Sequence, residues 1–141
     1  MTTLSITRTH PAAHLPTRAH PTDAGLDLRA LEPATVAPGG TTTVRTGITV
    51  GIPEGHVGLV WPRSGLARHG VDTLAGVIDH GYTGEVQVVL TTHGQTHHHI
   101  EPGDRVAQLL ITPIATPEPV LVEYLDDTAR GDGAFGSTGV A

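Results

Sequence analysis

The chain has 141 residues, a formal charge of −6, no cysteine, eighteen Gly and eleven Pro. A single domain of this length buries about two-thirds of its unfolded surface. The missing thiols exclude disulfides and thiolate metal sites, the negative charge argues against non-specific nucleic-acid binding, and no window reaches the ~20 apolar residues of a membrane span.

Abundant Gly, Pro, Thr and Val favour strands and turns over helices. In chain order, β-branched or alternating runs predict strands over Leu4–Arg8, Leu26–Leu31, Thr41–Val50, Val57–Trp61, Glu85–Thr92, Arg105–Thr112 and Val120–Tyr124. Turn signals at Pro38-Gly39-Gly40, Pro53-Glu54-Gly55, His80-Gly81, His93-Gly94 and Glu101-Pro102-Gly103-Asp104 separate them. Evenly spaced strands of this kind predict an all-β antiparallel sandwich with at most one short helix. No apolar stretch follows the first charge, so no signal peptide is expected, and the expected location is the cytoplasm.

Several of these segments carry candidate chemistry. In Ala24-Gly25-Leu26-Asp27-Leu28 the alternation puts the two leucines on one face and Asp27 on the other, where it could hold a metal-bound water. Arg63-Ser64-Gly65-Leu66-Ala67-Arg68 places an arginine, a hydroxyl and a glycine before the one helical candidate, near Ser64–His69, with Ser64 as a cap and Gly70 as its end. Exposed amides at that start form an anion site.

Gly76-Val77-Ile78-Asp79-His80-Gly81-Tyr82-Thr83-Gly84-Glu85 describes a tight hairpin with Asp79 at its tip. Beside a phosphate, Asp79 could orient and deprotonate a water; by residue type, Glu85 and His80 are rival bases. The run His97-His98-His99 lies between Gly94 and Pro102 and reads as a loop. Adjacent residues of an extended segment point to opposite faces, so three consecutive His do not converge on one metal. Gly103-Asp104-Arg105-Val106-Ala107-Gln108 enters a strand carrying Gln108, whose amide can donate to a phosphate oxygen.

The last twelve residues hold the only Phe among four glycines, with nothing apolar to pack around it. The segment reads as a mobile tail closing on something flat and anionic. Phe135 supplies a stacking face, Arg130 a guanidinium fork, and Ser137 and Thr138 further donors. Its plainer alternative is a disordered Gly/Ser terminus. The expected division is a β domain over 1–125 and a flexible tail over 126–141.

Taken as an ordered set, AGLDL at 24–28, PRSGLARHG at 62–70, GVIDHGYTGE at 76–85, GDRVAQLL at 103–110 and RGDGAFGSTG at 130–139 resemble the five motifs of the dUTP diphosphatase (dUTPase) family. The resemblance implies a homotrimer of jelly-roll-like β-clip subunits sharing three active sites. It implies hydrolysis of dUTP to dUMP and pyrophosphate with Mg²⁺ on the triphosphate, which keeps uracil out of DNA and supplies dUMP for dTMP synthesis.

By the same resemblance, Asp79 activates the attacking water and Asp27 reaches Mg²⁺ through water. Tyr82 packs against the deoxyribose and excludes a 2′-hydroxyl. Arg63, Ser64, Gly65 and Gln108 contact phosphate, while the main chain of Gly76, Val77 and Ile78 reads the uracil edge. From the tail, Arg130 clamps the γ-phosphate, Phe135 covers the base, and Gly136, Ser137 and Thr138 add phosphate contacts. From the negative charge and the lack of a long apolar window, no nucleic-acid or membrane partner is expected.

Three positions depart from the family pattern. Ala134 stands where a second Gly is usual, Thr83 replaces a frequent Arg, and Thr73 replaces an Asn found in several members. The nearest rival, dCTP deaminase, is similar in the RS-x-LAR and ID-x-G segments, but its catalytic glutamate falls at Val89, which cannot transfer a proton. A nucleotide-binding regulator without catalysis is the other alternative.

Overall fold

The computed structural model describes residues 3–136, 138 and 139. Its strands are β1 (Ser5–Arg8), β2 (Leu26–Arg29), β3 (Ala34–Val36), β4 (Thr41–Arg45), β5 (Ile48–Gly51) and β6 (His56–Trp61). A one-turn helix α1 (Ser64–Ala67) follows, then β7 (Val71–Leu74), β8 (Val77–Ile78), β9 (Gln87–Thr92), β10 (His98–Ile100) and β11 (Arg105–Pro113). Every ladder is antiparallel. The sheets have the orders β2-β11-β6-β8, β4-β9-β7, β1-β5 and β10-β3, and the arrangement is the expected jelly-roll-like all-β fold.

The core follows from strand alternation. β2 buries Leu26 and Leu28 and turns Asp27 and Arg29 outwards; β9 buries Val88, Leu90 and Thr92 and turns the residues between them away. Of these, Leu26, Leu28, Val88 and Leu90 meet Val36, Val44, Ile48, Val71, Ile100, Val106 and Leu109 in one buried cluster. At about 25 cal/mol per Å² of apolar surface, each fully buried Leu or Ile contributes roughly 1.5–3 kcal/mol.

The structure corrects several expectations. The run predicted over Thr41–Val50 is two strands, because Gly47 adopts φ 71° and the ladder breaks there. Val120–Tyr124 is not a strand: its residues are exposed and pair with nothing among the described residues. Its β-branched composition lacks a neighbouring edge within the chain, and composition alone does not make a ladder. His98–Ile100, expected in a loop, pairs with β3. Ser64 does not cap α1: Arg63 holds the N-cap position without a side-chain hydrogen bond, and Ser64 is the first helical residue. Gly70 does end the turn, with φ 85°.

Asp79 is not at the tip of a hairpin. β8 pairs with β6, whereas β9 pairs with β4 and β7, so the intervening segment leaves one sheet for another. Asp79 opens a turn instead, with its carbonyl accepting Tyr82 N–H at 3.2 Å and Gly81 at φ 93°.

Candidate active site

One half-site lies on the outer face of the four-stranded sheet. Asp27, Gln108 and Trp61 are register partners across β2, β11 and β6, so their side chains share the face opposite the Leu26–Leu109–Val60 core row. Arg63 Nε donates to Asp27 Oδ1 at 3.2 Å, and Arg63 Nη1 to the Arg105 carbonyl at 3.4 Å. Arg105 Nη1 stands 3.8 Å from Asp27 Oδ2. Gln108 Nε2 donates to the Pro62 carbonyl at 2.9 Å, which fixes the amide and ties β11 to the segment before α1. The loop through Ala19, Asp23 and Gly25 closes the other wall of a cavity of about 320 Å³ that includes Arg63, Ser64 and Arg105.

Arg105 escapes a sequence reading for a physical reason. In a regular strand residues 105 and 108 point to opposite faces. The β2–β11 register shifts by one residue between Arg105 and Ala107, and this bulge turns Arg105 toward Asp27. Trp61, 54% exposed beside Gln108 in the register, escapes because its neighbours are set by strand pairing alone. Gly65 is exposed on α1 with open space around its Cα.

A second half-site surrounds β8. Val60, Gly76, Val77, Ile78, Asp79, Tyr82 and Glu85 line a cavity of about 230 Å³. β8 is the edge of its sheet, and an edge strand presents unpaired backbone groups. The Gly76 carbonyl accepts Val60 N–H at 2.7 Å, so by alternation the amide and carbonyl of Val77 face the open side. The turn entering β8 is sharp: Ala75 has φ 60° and Gly76 φ 109°, and a β-carbon on Gly76 would stand 2.5 Å from the Val60 carbonyl oxygen. Ala75 is the only non-glycine residue with positive φ among those described, at a cost of about 1–2 kcal/mol.

Asp79 is exposed, and among the described residues no hydrogen bond or ion pair engages its carboxylate. The two rival bases are engaged. His80 Nδ1 bonds the Ile52 carbonyl at 2.8 Å. Glu85 accepts both arms of Arg45, at 2.9 and 3.0 Å, and Thr9 Oγ1 at 2.8 Å. The Arg45 hydrogen bond holds the Glu85 carboxyl below its ordinary value; burial opposes this, and Thr9 reinforces it.

The two halves do not meet within one chain. Ile78 lies three strands across from Asp27 and three residues along from the Asp27–Gln108–Trp61 row. With strand spacings of about 4.8 Å and rises of about 3.3 Å, that is about 17 Å. A base acting on water at phosphorus works within about 3 Å of that water, a reach far shorter than this separation.

The tail touches neither half among the described residues. Its hydrogen bonds are local, including Arg130 Nε to the Gly133 carbonyl at 2.9 Å and Gly131 N–H to Thr128 Oγ1 at 3.2 Å. Phe135 is fully exposed; Gly136 has φ 82° and Thr138 is exposed, while Ser137 lies outside the described residues. Ala134 does not take positive φ, so its methyl group is unstrained in this arrangement.

Among the described residues no three His, Cys, Asp or Glu side chains cluster, the His-rich run included. Asp27 is already shared by two arginines, and Asp23, the other carboxylate lining that cavity, is paired with His20. A carboxylate placed as Asp27 is fits Mg²⁺ through a water, since that ion keeps several waters and commonly arrives with substrate phosphates.

Comparison with known proteins gives the family and the fold. The dUTPase family model matches residues 11–139. A deoxyuridine 5'-triphosphate nucleotidohydrolase of Anaeromyxobacter sp. is 52% identical over 132 residues, covering 92% of this chain and 90% of its own. One from Gloeobacter violaceus is 49% identical over 130 residues, covering 89% and 88%. Among solved structures, the Staphylococcus bacteriophage 80alpha dUTPase with dUPNHPP superimposes with a TM-score of 0.93 at 31% identity, covering 99% of this chain and 100% of that one. A mutant dUTPase of phage phi11 of S. aureus, described with a structural Mg(II) ion, gives 0.83 at 29% identity, covering 89% and 100%.

Proposed function

The chain belongs to the dUTPase family, and on that premise we propose that it hydrolyses dUTP to dUMP and pyrophosphate at a site assembled from more than one subunit. The family match over residues 11–139 carries this reading, because it spans every residue given a role here.

The main chain of Gly76, Val77 and Ile78 reads the donor and acceptor pattern of uracil, with the Val77 amide and carbonyl on the open edge of β8. Cytosine reverses that pattern at two positions, and a buried mismatch of this kind discriminates by about 10⁴ or more. Tyr82 packs against the deoxyribose and leaves no room for a 2′-hydroxyl. Arg63, Ser64, Gly65 and Gln108 hold the phosphate chain, whose charge is matched by the free guanidinium donors of Arg63. Asp27 would reach a bound Mg²⁺ through water, and the ion would supply charge neutralisation to the triphosphate.

Asp79 takes the proton of the attacking water, and the in-line attack on phosphorus releases pyrophosphate. The tail, residues 126–141 beyond a β domain of 1–125, then acts as a lid. Arg130 meets the γ-phosphate, Phe135 covers the base, and Gly136, Ser137 and Thr138 complete the phosphate contacts while water is excluded.

A homotrimer supplies the missing proximity. The ~17 Å between the two halves of one chain supports bringing Asp79 of one subunit to the Arg63–Gln108 face of another. The uncovered apolar side chains of Val120, Leu121, Val122, Tyr124 and Leu125 support it as well, since Leu121 is 99% exposed in the single chain. Nucleic acid and membranes are not partners in this reading; no helix among the described residues is long and apolar enough to cross a bilayer, and the proposed location is the cytoplasm.

Pyrophosphate release with dUTP, dCTP, dTTP and UTP in the presence of Mg²⁺ tests the function. Turnover of dUTP alone is expected, and comparable kcat/KM for dUTP and UTP would overturn it. Light scattering at micromolar concentration tests the assembly; a fully active monomer would sink the shared site.

A further inference from the structure

Glu85 is buried to 13% side-chain exposure, and the proposed mechanism gives it no task. Its carboxylate is nonetheless among the most fully bonded in the chain. Arg45 approaches with Nε and Nη2 as a two-armed fork from β4, and Thr9 donates from the end of β1. The next peptide is pinned as well: Val86 N–H donates to the Ile48 carbonyl at 2.8 Å, and Thr46 Oγ1 donates to the Val86 carbonyl. The Glu85 carbonyl, on the other side of that peptide plane, accepts the Tyr82 hydroxyl at 3.0 Å. Gly84 is what lets the ring lie there, since a β-carbon at 84 would stand 2.4 Å from the Tyr82 oxygen.

These contacts form a continuous chain from the scaffold to an otherwise half-exposed aromatic ring. Without it, Tyr82 sits in a segment that leaves one sheet for another with no ladder to hold it. A paired, nearly buried carboxylate of this kind adds little net stability against an apolar replacement, but it fixes geometry. Its partners Arg45 and Thr9 lie on elements outside the cavity, which suits an anchor and not a ligand.

We propose that Glu85, held by Arg45 and Thr9, is a positioning residue that sets the Tyr82 ring through its carbonyl and thereby fixes the preference for a deoxyribose over a ribose nucleotide. The inference rests on the reading that Tyr82 packs against the sugar. Sugar discrimination depends on the ring being unable to retreat, because a 2′-hydroxyl needs only about one extra heavy atom of space. A ring free to swing outward accepts both sugars.

The experiment compares kcat/KM for dUTP and UTP in the wild type, Tyr82→Ala, Tyr82→Phe, Glu85→Gln and the Tyr82→Phe/Glu85→Gln double variant, with melting temperatures on the same samples. Tyr82→Phe keeps the ring and removes only its bond to Glu85. Both it and Glu85→Gln should lower the dUTP-to-UTP ratio by ~10-fold or more, mainly through faster UTP turnover. The double variant should be no worse than the weaker single one, because both cut the same link. If Glu85→Gln does not fold, Arg45→Lys, which keeps the charge and loses the fork, reads the same contact. A ratio within about twofold of wild type in Tyr82→Phe and in Glu85→Gln or Arg45→Lys, with Tyr82→Ala relaxed, overturns this inference alone. A ratio unchanged in Tyr82→Ala overturns the reading of Tyr82 beneath it.

Discussion

Gly25 and Gln108 face each other across β2 and β11 so closely that a β-carbon on residue 25 would stand 2.1 Å from Gln108 Oε1 and 3.0 Å from its Cβ. The glycine of the first motif is therefore a clearance for the glutamine of the fourth, and the two segments make one surface although 83 residues separate them (108 − 25). The side chain held in that clearance is the one whose amide also bonds Pro62.

Gly25→Ala should push the Gln108 amide off the phosphate face. Overpacking a tight contact costs about 1–3 kcal/mol, and much of it should be felt where nucleotide binds. The expected outcome is a loss of ~10-fold or more in kcat/KM for dUTP with the proposed trimer intact, read by steady-state kinetics and light scattering on one preparation. Unchanged kinetics would remove Gln108 from the site.

Asp79→Asn keeps the shape and removes the basic oxygen, so kcat should fall by at least ~10² while nucleotide still binds. Trp61 is the only tryptophan and shares a face with Asp27 and Gln108, so its fluorescence can be tested as the binding signal. Near-normal turnover would return the assignment to Glu85 or His80, against the contacts that occupy both.

Removal of residues 130–141 should leave the melting temperature nearly unchanged, because among the described residues Arg130, Gly131 and Gly133 bond only to one another and to Thr128. The same sample should lose ~10² or more in kcat/KM. Phe135→Ala should lose less, since the phosphate contacts remain. A large drop in stability would make the segment a structural arm.

The Arg45–Glu85 pair has a signed pH dependence. The folded carboxyl titrates below its ordinary value, so its contribution to stability is present above the unfolded carboxylate range and is lost as pH falls through the folded value. Glu85→Gln should therefore lower the melting temperature at pH 7, and the difference from wild type should shrink on acidification below about pH 4. A difference that grew with acid would contradict the pairing.

Much of the architecture was legible because alternation is a local signal. Leu26-Asp27-Leu28 announces which side faces the core, and the ladder with β11 places Asp27 on the other side as expected. The elements that escaped are short: β3, β7, β8 and β10 have two to four residues each, below the length at which a period can be counted. Within the site, Asp27, Arg63 and Gln108 do come together, as the ordered motifs suggested. Arg105 was hidden by a bulge, Trp61 by register, and the anchoring of Glu85 by contacts 40 and 76 residues away. Such information resides in pairings, which no single segment carries. The Val120–Tyr124 run departs from its composition for the complementary reason: its residues suit a strand, but a strand also needs an edge to join.

Placing one half-site on the face of a sheet and the other at its β8 edge has a consequence for mixtures of chains. In the proposed trimer, a preparation carrying Asp79→Asn and one carrying Arg63→Gln are each inert, yet neither chain lacks both halves. Refolded together at equal amounts, random assembly pairs an intact Asp79 with an intact Arg63 from different chains in about a quarter of the sites. Activity would then emerge from two dead parents, up to about that fraction of wild type. A site contained in one chain yields none at any mixing ratio, which makes inheritance of function a property of neighbours and not of individual subunits.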